Sequence, residues 1–184
     1  TSEEDIVASL NGVYTSLTQS YVADNYHYFT DVRANATVVT NSGANSGIPY
    51  QFYNYTLTEE NVYVYNRYSQ LYKIISRANT LFAHLGDVSY ATPSARDTYE
   101  AEARFLRALS YYWLVTEWGD VPLVLKVLES TEEVRANNYR RPKAEIYQAI
   151  FDDLKYVTES PLPDVQPASA CGKVSKAAAW ALWG

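Results

Sequence analysis

The sequence predicts an all-α fold. Apolar residues recur at steps of three and four in five stretches, the pattern of helices that each bury one stripe. Serine, threonine, glycine and proline stand at the ends of those stretches, where caps and terminators belong. One long segment, between the first two helical stretches, has no such period.

The first helix is predicted over about Glu3 to Tyr28. Ser2 is its N-cap, and Glu3, Glu4 and Asp5 lie where the helix dipole favours negative charge. Ile6, Leu10, Val13, Leu17 and Tyr21 form its stripe, which Gly12 weakens slightly. From Thr30 to Thr58 the chain turns to Asn, Thr, Ser and Gly, then to aromatics. This reads as a long irregular loop with short extended pieces at Thr37–Thr40 and Tyr50–Tyr55. Loops beyond about 12–15 residues in compact domains tend to be functional or disordered. Asp31, Arg33, Tyr50, Phe52, Tyr53, Tyr55 and Glu59 favour function here over an ordinary covering Ω-loop.

A second helix is expected from about Glu59 to Leu85, with Thr58 as N-cap and Gly86 at the C-terminal turn. Tyr68, Tyr72, Ile75, Asn79, Phe82 and Leu85 share one face of it. The third spans about Ala95 to Trp118, between Ser94 and Gly119. Its apolar set, from Phe105 to Val115, wraps more than one face, so it is the central and most buried helix. A connector from Asp120 to Pro142 follows. The fourth helix covers about Lys143 to Thr158 on Ile146, Ile150, Leu154 and Val157. After the proline-containing loop that starts at Glu159, a fifth opens near Ser175. Its run from Lys176 to Trp183 is barely two turns and needs tertiary support. Trp180 and Trp183 at its end want a partner surface, and the expectation is that the natural chain continues.

The 184 residues suit one domain with a sizeable core. A net charge of −6 argues against nucleic acid as the main partner. The single cysteine, Cys171, allows neither an internal disulfide nor a Cys-based zinc cluster. The most apolar stretch, Ser110 to Leu125, is broken by Glu117 and Asp120, so no segment reads as a membrane span. The 18 tyrosines, with four tryptophans and five phenylalanines, suit helix cores and also surfaces that hold amphipathic ligands.

Signals of catalysis are thin, and neither a cofactor nor a metal is expected. His27 and His84 are isolated, without metal-ligand spacing. The doublets Glu3-Glu4, Glu59-Glu60, Glu132-Glu133 and Asp152-Asp153 diverge by about 100° on a helix, so neighbours do not converge on a substrate. No glycine-rich phosphate loop appears, and Cys171 lies in a polar loop without an activating cation. Two arginines carry structural information instead. Arg104 pairs with Glu100 at i, i+4 on a solvated face. Arg107, set in an apolar segment, has to reach a carboxylate, and Asp153 on the next helix is the expected partner.

The third helix resembles the SusD/RagB family of outer-membrane nutrient-binding lipoproteins. Glu102-Ala103-Arg104-Phe105-Leu106-Arg107-Ala108 is similar to its E-A-x-F-L-R-A helix, and Trp118-Gly119-Asp120-Val121-Pro122-Leu123 to its aromatic-G-D-V-P-L turn. In matching order, Tyr72 to Asn79 resembles its Y-x-x-I-x-R-A-N run. Arg141-Pro142 through Asp153-Leu154 resembles R-P-x-x-E-I-Y-x-x-I-x-x-D-L, and Gly172 to Ala178 resembles G-R-V-T-K-A-A, with Lys173 replacing arginine.

The resemblance implies a tetratricopeptide-like scaffold of helical pairs, with residues 1–184 as the N-terminal helical domain of a longer protein. It implies no enzyme, but capture of an oligosaccharide on the outer face of the outer membrane and delivery to a SusC-like TonB-dependent transporter. Membrane attachment would come only through a lipid anchor outside this sequence. Within that reading, Tyr50, Phe52, Tyr53 and Tyr55 are expected stacking platforms for sugar rings, and Asp31, Arg33 and Asn35 polar contacts. Asp31 matches a frequent family aspartate; the others rest on the chemistry of the loop. A tetratricopeptide-like scaffold that binds only other proteins is the alternative.

Overall fold

The computed structural model describes residues 2–184, and among them the regular secondary structure is helical apart from one bridge that pairs Val121 with Arg141. The helices are α1 (Glu3–Leu17), α2 (Tyr50–Tyr53), α3 (Val62–His84), α4 (Ala95–Trp118), α5 (Thr131–Asn137), α6 (Lys143–Glu159) and α7 (Lys176–Trp183). Two compact units result. One holds the chain up to Tyr14 together with Ile74–Gly184; the other is Thr15–Lys73.

In the first unit α4 packs along α6, and α6 against α7, the successive pairing of a tetratricopeptide-like array. Ile6 and Leu10 of α1 meet Ala78 and Leu81 of α3, Leu85 just beyond it, and Ala103 of α4 in a dry cluster. The small side chains of Ala78 and Ala103 let the helices approach closely. Gly119 ends α4 with φ +74°, a conformation costly for any residue with a Cβ. Next to it, Asp120 Oδ1 accepts the Lys143 N–H at 2.9 Å and so caps α6 from outside that helix. The Arg141 N–H donates to the Val121 carbonyl at 2.9 Å, closing the connector on itself.

A buried ionic network locks α3, α4 and α6 together. Arg107 Nε donates to Asp153 Oδ2 and Nη2 to Oδ1, both at 2.8 Å, a two-pronged pair between side chains only 6% and 3% exposed. Arg107 Nη1 donates to Asn79 Oδ1 at 2.7 Å, and Asn79 Nδ2 to the carbonyls of Val124 and Lys126. The expected Arg107–Asp153 pair is therefore present. Arg104 departs from its expected solvated face. It does bind Glu100, but Glu100 is buried, and Arg104 Nη1 also reaches Asp153 Oδ1 at 2.8 Å. The α6 carboxylate draws it inward, over the ring of Tyr156.

A second buried acid ties α4 to α1 and to the approach of α7. Tyr14 donates its hydroxyl hydrogen to Glu102 Oε2 at 2.6 Å and accepts the Val174 N–H at 3.0 Å. Burial pushes the Glu102 carboxyl above its ordinary value, against the bond from Tyr14 and the distant Lys173 ammonium. The folded chain thus holds that proton more tightly than the unfolded chain does. The contribution of Glu102 to stability accordingly falls as pH rises from the usual carboxylate range through the raised value. Glu102→Gln, which keeps an acceptor for Tyr14, is expected to remove that decline. Melting curves of the two proteins from acid to neutral pH, compared as a difference, test it; parallel curves would refute it.

Several element boundaries differ from those predicted. α1 stops at Leu17 instead of Tyr28, because Thr18 turns its hydroxyl and its N–H back onto the Thr15 carbonyl. α3 starts at Val62, capped by Asn61 rather than Thr58. Tyr50–Tyr53 is a helical turn and not extended, since Pro49 enters it with helical φ and ψ. The connector after α4 contains α5. Ser130 Oγ accepts the Glu133 N–H there, and Glu133 Oε2 accepts the Glu129 N–H. The spacing Ser130-x-x-Glu133 is the sequence signal that would have revealed it.

Candidate functional site

The Thr15–Lys73 unit is organised around an arginine. Arg67 of α3 is 0% exposed, and its Nη1 donates to the carbonyls of Tyr21 and Val22 at 3.1 and 3.2 Å. Its guanidinium lies 5.0 Å from the centre of the Tyr26 ring and 4.9 Å from that of Phe29. Phe52, also 0% exposed, packs edge-on to Phe29 at 4.9 Å and borders Tyr28 and Tyr63. Sequence reasoning overlooked Arg67. Its place four residues from both Tyr63 and Leu71, on the buried stripe, was the available signal.

Asn61 closes the loop onto this core. Its Nδ2 donates to the Ile48 carbonyl and to Gln51 Oε1, while its Oδ1 accepts the N–H groups of Tyr63 and Val64. All four hydrogen-bonding positions of the amide are used, so a buried polar side chain is held without an unsatisfied group.

The seven residues expected to contact ligand separate into four groups. Asp31, Arg33 and Asn35 are exposed, at and just after a π-helical turn over Tyr28–Val32. Tyr50 and Tyr53 are half-buried, with ring centres 5.6 Å apart on one side of α2. Tyr55 is 63% exposed and donates its hydroxyl hydrogen to the Arg33 carbonyl at 2.9 Å, which joins the two ends of the segment. Phe52 does not serve as a platform. The helical turn points it inward, and its burial makes it the anchor of the loop.

The backbone here is strained. Among the described residues, every non-glycine with positive φ lies in this segment: Asn35 at 56°, Asn45 at 48°, Ser46 at 58° and Tyr55 at 60°. Asparagine tolerates that region, whereas a bulky tyrosine rarely adopts it. Strain of this kind is costly and collects at ligand clamps and active sites.

Between the π-helical turn and α2 opens a groove of about 470 Å³, within the size range of small-molecule sites. The rings of His27 and Tyr28, 4.1 Å apart and tilted by 39°, make one wall. Val32, Val38, Val39 and Pro49 give it apolar surface; Thr37, Thr40, Asn41 and Asn45 give hydroxyls and amides. His27 Nδ1 lies 2.9 Å from the Asp24 carbonyl, so it carries hydrogen in the neutral ring and leaves Nε2 as an acceptor. Burial and nearby Tyr63 push the Tyr28 phenol above its ordinary value. Asn45 Nδ2 donates to the Tyr63 hydroxyl, and Asn41 Oδ1 accepts the Gly43 N–H. None of the seven predicted residues lines this groove, and no lining residue was predicted.

No three His, Cys, Asp or Glu side chains gather among the described residues in a way that would hold a metal ion. What the groove offers is a ring wall, apolar C–H contact and neutral hydrogen-bonding groups.

A family model described as starch-binding and associating with the outer membrane, SusD-like, matches residues 1–183. The chain belongs to the SusD-like family. It is similar to SusD-like protein P2 of Formosa agariphila, 30% identical over 177 residues, which cover 96% of this chain and 34% of that protein. SusD-like protein P25 of the same strain is 27% identical, with 97% and 34% covered. The chain thus spans 34% of the length of these curated relatives. A solved laminarin binding SusD-like protein superposes with a TM-score of 0.84 at 27% identity, covering 99% of this chain and 39% of that one. Surface glycan-binding protein A from Bacteroides thetaiotaomicron, in complex with laminarihexaose, shares the fold at TM-score 0.80 and 21% identity, covering 100% and 38%.

Within this SusD-like chain the motifs that carried the resemblance are structural. Asn79, Arg107 and Asp153 form the buried network, Asp120 caps α6, and Glu102 holds Tyr14. The groove and the strained segment lie in the Thr15–Lys73 unit, outside every one of those motifs.

Proposed function

We propose that this SusD-like chain is the N-terminal helical domain of a non-catalytic protein that captures oligosaccharide at the outer face of the outer membrane. In this reading a lipid anchor outside these residues tethers it, and the sugar passes to a SusC-like TonB-dependent transporter. The groove of the Thr15–Lys73 unit is the observation that carries the proposal. Sugars present apolar C–H faces and hydroxyl edges. The His27–Tyr28 rings match the faces, and Thr37, Thr40, Asn41 and Asn45 match the edges. Family membership and the likeness to a laminarin binding protein support the same ligand class. Asp31, Arg33, Asn35, Tyr50, Tyr53 and Tyr55 extend the surface beside the groove, and Phe52 holds it from beneath.

Calorimetric titration of the full-length protein with plant, host and microbial oligosaccharides, with chromatography of each mixture, tests the proposal. Saturable binding without new products is expected. Asn41→Ala and Tyr55→Ala are each expected to weaken binding about ten-fold, the value of one well-placed hydrogen bond or stacking contact. Unchanged affinity in both variants would remove the site from this surface, and released products would make the protein a hydrolase. Recovery of the transporter with the affinity-purified protein from detergent-solubilised outer membranes tests the partner.

A further inference from the structure

The groove also selects among sugars, an inference that rests on the reading above. We infer that it takes uncharged oligosaccharides and discriminates against those bearing carboxylate or sulfate groups. Among the described residues that line it there is no lysine, arginine, aspartate or glutamate. An anionic sugar is normally held by charge-assisted bonds from a guanidinium or an ammonium, and Arg in particular meets carboxylate and sulfate with paired donors. Here an anion would enter between valines, a proline and aromatic rings, and would lose hydration with no lysine or arginine to receive it.

Four features reinforce this selectivity. The lining hydroxyls and amides are both donors and acceptors, which suits the hydroxyls of a neutral sugar. Burial raises the Tyr28 phenol above its ordinary value, so that wall residue is uncharged. Beside the groove, Asp31 and Arg33 are exposed two residues apart with opposite charge, so that turn adds no net attraction for an anion. The whole chain, at −6, opposes the approach of acidic ligands.

The test is a titration of the full-length protein against two matched sets of oligosaccharides. One set is neutral: hexamers of β-1,3-glucose, α-1,4-glucose, β-1,4-xylose and β-1,4-mannose. The other is acidic: oligogalacturonate, oligoalginate and a sulfated galactan hexamer. At about 0.15 M salt at least one neutral hexamer is expected to bind at least ten-fold more tightly than every acidic one. Its affinity should hardly change with salt, and Thr40→Val should weaken it several-fold. Val38, a 62% exposed wall residue, provides the converse. Val38→Lys is expected to strengthen acidic hexamers several-fold at low salt, and added salt should erase the gain.

Acidic hexamers that bind as well as the neutral ones, or better, would overturn the inference and leave glycan capture standing. Neutral binding that Thr40→Val does not alter would move the selectivity out of this groove and overturn it too. Absence of binding in both sets would refute glycan capture itself.

Discussion

Asp153→Ala is expected to cost about 3–5 kcal/mol, because it strands a buried charge. Arg107 would keep Asn79 and the Leu125 carbonyl as acceptors but lose both prongs of its ion pair, with a side chain only 6% exposed. Arg104 would lose its second partner in the same step. Set against a total stability of about 5–15 kcal/mol for a folded domain, that removes much of the margin. Thermal melts followed by circular dichroism should show Tm lower by roughly 10 °C or more. Asp152→Ala, one residue away and exposed, sets the comparison; its carboxylate accepts from Gln148 on the same helix. A double replacement of Arg107 and Asp153 by apolar residues should recover part of the loss, since the uncompensated charge then disappears. If Asp153→Ala melts within a degree or two of the parent, the network does not hold the helices together.

Phe52→Ala is expected to destabilise by a similar amount, about 3–5 kcal/mol, through the cavity left among Tyr28, Phe29 and Tyr63. It should weaken sugar binding as well, since Tyr28 forms a wall of the groove. Phe52→Leu separates the two roles. Leucine fills most of the volume, so stability and binding should both return to within a few-fold of the parent if Phe52 is an internal support. If Phe52 instead stacks on a sugar, Phe52→Leu would restore stability and leave binding weak. That outcome would contradict the buried position given to it here.

The helices were legible because their signals are local. Spacing and the Gly119 stop delimit α4 and α6 within a residue, and the pairing of Arg107 with Asp153 followed from an arginine stranded in an apolar run. The end of α1 was illegible because Tyr21 continues the apolar period past the point where Thr18 breaks it. Composition marked the loop as a candidate site, yet it did not point to the residues that line the groove. Aromatic content cannot tell a platform from an anchor, and one helical turn after Pro49 decides that Phe52 faces inward while Tyr50 and Tyr53 stay half-exposed. The groove escaped notice because threonine, valine and asparagine carry no signal until the fold gathers them.

Asn61 has a consequence for how such chains diversify. By gripping Ile48 and Gln51 with one end of its amide and starting α3 with the other, it uncouples the length of the preceding segment from the helix that follows. Residues inserted or deleted in the largely exposed stretch 37–42 change chiefly a loop-closure entropy, about 0.6 kcal/mol for each doubling of length. The stretch proposed to face the ligand is therefore free to grow, shrink and change its chemistry across generations. The frame that it is mounted on has no need to change with it.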